Sequence, residues 1–268
     1  MNLEINGANT FCYTGGKPFD REKPTVVFIH GVLNDHSVWI LQTRYFAHHG
    51  WNVLAVDLPG HCRSAGEPPR SVEEAADFIV AVLDAAGVQK AALVGHSFGS
   101  LAALEAAARA PARVTHLALV GTASPMKVSA ALLENAQHQP MQAIDMVNVY
   151  SHSMMTPPPA SVAGGTWLRG GGRALMRRVL ASNPRVNVFH RGFVACDSYA
   201  GGEAAMAKVE CPVLFVLGEN DAMTPPKAAQ PLQQKARNAK TVRVEAGHQM
   251  RAEAPDAVLF ALRDFLRG

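Results

Sequence analysis

The sequence predicts an α/β protein, a mostly parallel sheet covered by helices on both faces and interrupted by one helical insertion. Three observations predict it. Short unbroken apolar, β-rich runs recur along the chain, as strands buried on both faces do. Segments with helical spacing lie between them, and that alternation implies right-handed strand–helix–strand crossovers. The rhythm then stops for one long stretch and resumes.

The segment up to about Arg21 alternates weakly, and its Gly15-Gly16 pair predicts a turn within a short hairpin. The first buried strand is Thr25 to Ile29, followed by Asn52 to Leu58, Ala91 to Val94, Val114 to Val120 and Val213 to Leu217. Thr241 to Glu245 is a weaker sixth. The first helix is Ser37 to His49. The next, Ser71 to Ala86, opens with a capping box of Ser71 and Glu74 and stops at Gly87. Ser100 to Ala110 is alanine-rich and stops at Pro111, and Pro226 to Asn238 and Pro255 to Arg267 complete the set.

From about Ser124 to Lys208 no buried strand is legible, and Pro157-Pro158-Pro159 and Gly170-Gly171-Gly172 punctuate the helical stretches. A structureless loop of that length does not suit a compact domain. The chain therefore divides into a core, 1–123 and 209–268, and a helical cap, 124–208. Seven of the ten methionines fall between Met126 and Met206. They serve either as an adaptable pocket lining or as the cap's own core.

Composition excludes several classes. The 268 residues carry a net charge of +3, with 48% apolar and 18% charged residues, enough to bury a sizeable core. The densest basic run, Arg173 to Arg178, reads as a solvated helix face, so nucleic acid is not an expected partner. No apolar stretch reaches the roughly 18 residues of a membrane span, and no signal peptide opens the chain. The four cysteines form no metal-ligand or redox spacing. A cytoplasmic protein with reduced thiols, no metal and a small-molecule substrate is the expectation, with a homodimer left open.

The chemistry concentrates at Gly95-His96-Ser97-Phe98-Gly99, between a strand and a helix. A nucleophile on so tight a turn has a strained backbone, and small residues two before and two after it let the chain pack against itself. A serine hydroxyl needs a base. Of eleven histidines, His248 follows the last short strand and precedes the last helix, on the same sheet edge as Ser97. Asp221 follows another strand and lies between them in the chain, with Glu219 as its local competitor. Its task is to fix the imidazole tautomer and stabilise the imidazolium. The backbone N–H groups of Phe98 and Val32 are the expected oxyanion donors, with Gly31 letting the loop turn. His30 reads as a structural hydrogen-bonding residue. Met154, Met155 and Trp167 are the expected substrate-binding residues of the cap.

These pieces, together with Trp39, Asp57-Leu58-Pro59-Gly60-His61 and Pro225, resemble the α/β-hydrolase superfamily over nearly the whole chain. The resemblance implies an eight-stranded sheet, a cap between the sixth and seventh strands, a two-step acyl-enzyme mechanism and no soluble cofactor. One departure is Cys62, which stands where relatives carry glycine after His61. That bears on the local backbone and not on the three reacting residues, and nothing near Cys62 in the sequence lowers its pKa enough for a second nucleophile. Dehalogenases and epoxide hydrolases of this fold carry aspartate at the elbow, so Ser97 argues against both. Hydrolysis of a small or medium carboxylic ester or lactone is the leading expectation. A carbon–carbon bond hydrolase, a perhydrolase or acyltransferase with the same residues, and a ligand-binding receptor on a hydrolase fold are the alternatives.

Overall fold

The computed structural model describes residues 1–153 and 168–267. Eight strands form one sheet: β1 (Asn2–Ile5), β2 (Ala8–Tyr13), β3 (Thr25–Ile29), β4 (Asn52–Val56), β5 (Ala91–His96), β6 (Val114–Val120), β7 (Val213–Gly218) and β8 (Ala239–Val244). Their spatial order is β1-β2-β4-β3-β5-β6-β7-β8. The β1–β2 and β2–β4 pairings are antiparallel and the rest are parallel. This is the α/β fold the sequence predicts, with the implied strand number.

The strands are apolar without a break because each side of the sheet is covered. On one face Val26 and Phe28 of β3 pack with Trp39, with Phe46 of α1 (Ile40–His48), and with Val258 and Leu262 of the last helix, Pro255–Leu266. On the other, Val27 and Ile29 pack with Ile79 of α2 (Val72–Ala85) and Leu101 of α3 (Phe98–Arg109). The period-two alternation is thus present, but both registers are apolar. The weak legibility of β8 has the opposite cause. It is the sheet's edge, and most of its residues are exposed. The predicted helix 226–238 is a 3₁₀ turn, Pro226–Ala229, followed by the short α9 (Gln230–Lys235).

The hairpin forms, but it does not reverse at Gly15-Gly16. It reverses at Asn6 (φ 51°) and Gly7 (φ 75°), between β1 and β2. Asn-Gly accepts the two left-handed positions of a two-residue turn, whose twist matches the flanking strands.

Between β6 and β7 lie α4 (Ala130–His138), α5 (Pro140–Tyr150), α6 (Leu168–Ala181), α7 (Val188–Ser198) and α8 (Gly202–Met206). Gly170 to Gly172 do not break this stretch, since they sit inside α6. A Cβ on Gly172 would stand 3.2 Å from Asn148 Oδ1 and 3.5 Å from the His152 ring, so its small size serves the close approach of α5 and α6. The inserted helices have their own apolar core, including Leu132, Ile144, Met176, Val179 and Phe189. Met206 joins the main core instead, and Met141 is exposed. The methionines therefore divide among several roles.

Candidate active site

The order of β4, β3 and β5 creates a switch point: the chain crosses from β3 to one neighbour, β4, and then returns to add β5 on the other side. The crevice at the C-terminal ends of such strands is where open α/β sheets bind ligands. Ser97 stands there, between β5 and α3, with φ 54° and ψ −123°. That is a left-handed, strained conformation for a residue with a side chain. Several bonds hold it. The Ser97 N–H donates to Val120 O at 3.0 Å, and its carbonyl accepts from Ser100 Oγ at 2.6 Å. The flanking glycines are required by contact. A Cβ on Gly95 would collide with the Gly99 carbonyl, and one on Gly99 with the Ile29 carbonyl.

β7 and β8 pair in parallel through Gly218 and Val244, which sets the loops that follow them side by side. Asn220 N–H donates to Ala246 O at 3.1 Å. From these loops His248 Nδ1 meets Asp221 Oδ2 at 2.8 Å, with both side chains buried. Glu219 is exposed, so of the two carboxylates only Asp221 faces the imidazole. Burial pushes the Asp221 carboxyl upward, but His248 and the donors from Thr224 outweigh it and hold the pKa below the usual value.

Thr224, which the sequence reading passed over, completes this pair. Asp221 Oδ1 accepts the N–H groups of Met223 and Thr224, each at 2.8 Å. Asp221 Oδ2 accepts Thr224 Oγ1 at 2.7 Å as well as the imidazole, and Thr224 Oγ1 is also 3.1 Å from His248 Nδ1. All four donors fix the carboxylate plane. A threonine three residues after a loop aspartate was the available signal, though it equally marks an ordinary turn. Gly121 (φ 57°) was missed too. A Cβ there would stand 3.2 Å from the His248 ring. Glu253 ties down the same loop by accepting the Gly247 N–H at 3.2 Å. His96 Nε2 donates to His248 O at 2.9 Å, and burial, reinforced by Arg251 and His248, holds that imidazole well below its usual pKa.

His30 has the structural role expected of it. Its Nε2 accepts the Leu58 N–H at 3.1 Å, so Nδ1 carries the proton and donates to Gly31 O at 2.8 Å. The loop it anchors lies directly on the elbow, since a Cβ on Gly31 would stand 3.0 Å from Ser97 Cβ. The N–H groups of Val32 and Phe98 have no protein acceptor among the described residues. Cys62 occupies the left-handed region (φ 46°) that a glycine takes without strain. Burial, with Asp35 beside it, pushes its thiol up to about 12, which leaves it a poor nucleophile.

Ser97 and His248 line one cavity of about 480 Å³, walled by Met126, Leu132, Met146 and Phe193 from the inserted segment and by Met223 from the core. No hydrogen bond joins Ser97 to His248 among the described residues, and such contacts often tighten only with substrate in place. Met154, Met155 and Trp167 lie outside the described residues. The described residues hold no cluster of three or more potential metal ligands, and none of their helices is long and apolar enough to cross a membrane.

Residues 24–250 match the alpha/beta hydrolase fold family. A pimeloyl-(acyl-carrier protein) methyl ester esterase of Neisseria meningitidis serogroup C is 30% identical over 248 residues, covering 91% of this chain and 93% of the relative. The esterase of the same name from Aromatoleum aromaticum is 28% identical, covering 92% and 99%. In fold, the enol-lactonase from Burkholderia xenovorans LB400 superposes over the full length of both chains with a TM-score of 0.84 at 21% identity. The chain thus belongs to the alpha/beta hydrolase fold family, as an enzyme of the ester-hydrolase type.

Proposed function

We propose that this protein hydrolyses small to medium carboxylic esters or lactones by way of an acyl-enzyme on Ser97. One observation carries the reading most directly. A serine with φ 54° at a strand–helix elbow shares a cavity with a buried imidazole held at 2.8 Å by a carboxylate. Strain of that kind persists only where the surroundings over-determine it, and here it presents the hydroxyl to the cavity.

In this reading Ser97 Oγ attacks the ester carbonyl, and His248 Nε2 takes the hydroxyl proton. Asp221 keeps the other imidazole proton on Nδ1 and stabilises the imidazolium that forms. The negative charge on the carbonyl oxygen is met by the N–H groups of Phe98 and Val32, and the N-terminus of α3 favours it further. His248 then returns the proton to the leaving alkoxide. Water, deprotonated by the same imidazole, attacks the acyl-enzyme carbonyl and releases the acid. The methionine, leucine and phenylalanine walls of the 480 Å³ cavity suit a medium acyl chain. The methyl-ester specificity named for the esterase relatives supports a small alcohol as leaving group.

The test pairs a fluorophosphonate probe with a panel of p-nitrophenyl esters of graded acyl length. The wild-type protein should label and turn over medium-chain esters. Ser97→Ala should abolish labelling and lower kcat by several orders of magnitude while the fold is kept. Near-normal turnover in a folded Ser97→Ala variant would remove Ser97 from the mechanism.

A further inference from the structure

The oxyanion loop has an unusual support. The Asn34 N–H donates to Gly31 O at 3.3 Å, closing a four-residue turn with Val32 and Leu33 at its centre. Leu33 has φ 55°, and Val32 is not among the residues with positive φ. This is the pattern of a type II turn, whose third position ordinarily takes glycine or asparagine. A leucine there is strained. It could relax by rotation of the Val32–Leu33 peptide, immediately next to the peptide that carries the Val32 N–H. Asn34 Nδ2 opposes that rotation from within the loop by donating to Val32 O at 3.2 Å.

What holds Leu33 itself belongs to the inserted helices. Its side chain is 1% exposed and packs in their apolar core with Leu132, Ile144 and Phe189, not in either core cluster of the sheet. Two further contacts come from the same helices. A Cβ on Gly192 of α7 would stand 3.1 Å from both γ carbons of Val32. Arg178 of α6 donates to Asp35 Oδ2 at 2.5 Å.

We propose that the apolar core of the inserted helices, gripping Leu33, holds the oxyanion loop in its working conformation, so that seating the insertion and forming the oxyanion hole are one event. Leu33 is then a positioning residue. Its side chain touches no reacting atom, yet it places the Val32 N–H. The proposal rests on the reading above, in which that N–H receives the oxyanion. It deepens that reading by giving the insertion a part in the chemical step as well as in substrate fit.

The experiment uses the full chain and an alkyl trifluoromethyl ketone. Ser97 Oγ adds to the ketone carbon, its proton passes to His248, and the ketone oxygen becomes an anion that reports on the oxyanion hole. Leu33→Ala should lower kcat and weaken binding of the ketone by about tenfold or more, with little change in KM. Leu262→Ala removes the same number of carbons from a core of the sheet that Leu33 does not join, so it should lower thermal stability and leave both readouts near wild type. Gly192→Ala guards against a Leu33 variant that fails to fold. Alanine is well tolerated in a helix, and its methyl would press Val32 from α7, so kcat and ketone affinity should fall while the variant stays folded. Leu33→Ala or Gly192→Ala with unchanged kcat and ketone affinity would overturn the proposal, as would Leu262→Ala proving as damaging as Leu33→Ala. If the wild-type protein neither takes the fluorophosphonate nor binds the ketone, the assignment of Ser97 is what has failed.

Discussion

Thr224 shows how much a single hydroxyl controls when it stands between two titrating groups. It donates to the same Asp221 oxygen that faces His248. Removing that donor leaves Oδ2 with the imidazole as its one remaining partner and loosens the hold on the carboxylate plane. Thr224→Val keeps the shape and deletes only the hydroxyl. The carboxylate then loses one of the donors that fix it, so kcat should fall by about threefold to tenfold with little change in KM, while Thr224→Ser restores the wild-type rate. A purely structural role would lower Tm and leave kcat of the folded variant unchanged, so kcat and Tm measured together tell the two apart. Gly121 and Gly31 act at the same scale by omission. Each leaves room for an active-site group that a methyl would displace.

Among the elements, the link between α6 and the oxyanion loop carries a pH dependence of its own. Burial raises the Asp35 carboxyl, but hydrogen bonds from Ser37 and Arg178 outweigh it and hold its pKa at about 2, against 3.8 for the free group. A depressed carboxylate contributes stability that is fully present above the unfolded value and lost as pH falls through the folded one. The shift corresponds to about 2 kcal/mol at neutral pH. Asp35→Asn should thus lower stability by an amount of that order at pH 7. The deficit should shrink between pH 4 and pH 2, where the wild-type carboxylate itself protonates. Denaturant midpoints measured across that range check the sign, and a deficit independent of pH would assign the effect to packing.

The whole molecule divides between a sheet whose loops bring Ser97, Asp221 and His248 to one edge and inserted helices that wall the cavity Ser97 and His248 line. Met146 and Leu132 of the insertion face the cavity that also exposes Ser97 and His248. Met146→Ala should raise relative kcat/KM for long over short p-nitrophenyl esters. A change of this size in a hydrophobic pocket is worth about 1–3 kcal/mol of discrimination, and the rate on acetate should move much less. An unchanged chain-length profile with a lower Tm would make Met146 a packing residue of the insertion. The expected substrate contacts of the sequence, Met154, Met155 and Trp167, lie outside the described residues. The walls that are described come from α4, α5 and α7, from Met126 to Ser129 ahead of α4, and from Ala222 to Thr224 of the core.

What the sequence determined by itself were the features written in neighbouring residues. Strand runs, capped helices, the glycine frame around Ser97, and the loops bearing Asp221 and His248 each follow from local constraints on backbone and burial, so one sequence is enough to read them. Even some local signals stayed faint. Asn6-Gly7 is a strong turn pair, but the strands beside it are short, and Gly15-Gly16 drew the reading away. Tertiary structure decided the rest. The choice of Asp221 over Glu219 rests on which carboxylate turns inward once β7 and β8 pair. The roles of Thr224, Gly121 and Glu253 depend on contacts between loops that meet only when the sheet closes. Leu33 reads as an ordinary apolar loop residue until helices that begin far along the chain, with Leu132, Ile144 and Phe189, bury it. Contacts of that range leave no periodicity in the sequence, because they are selected by shape and by hydrogen-bond partners rather than by the repeat of a single element.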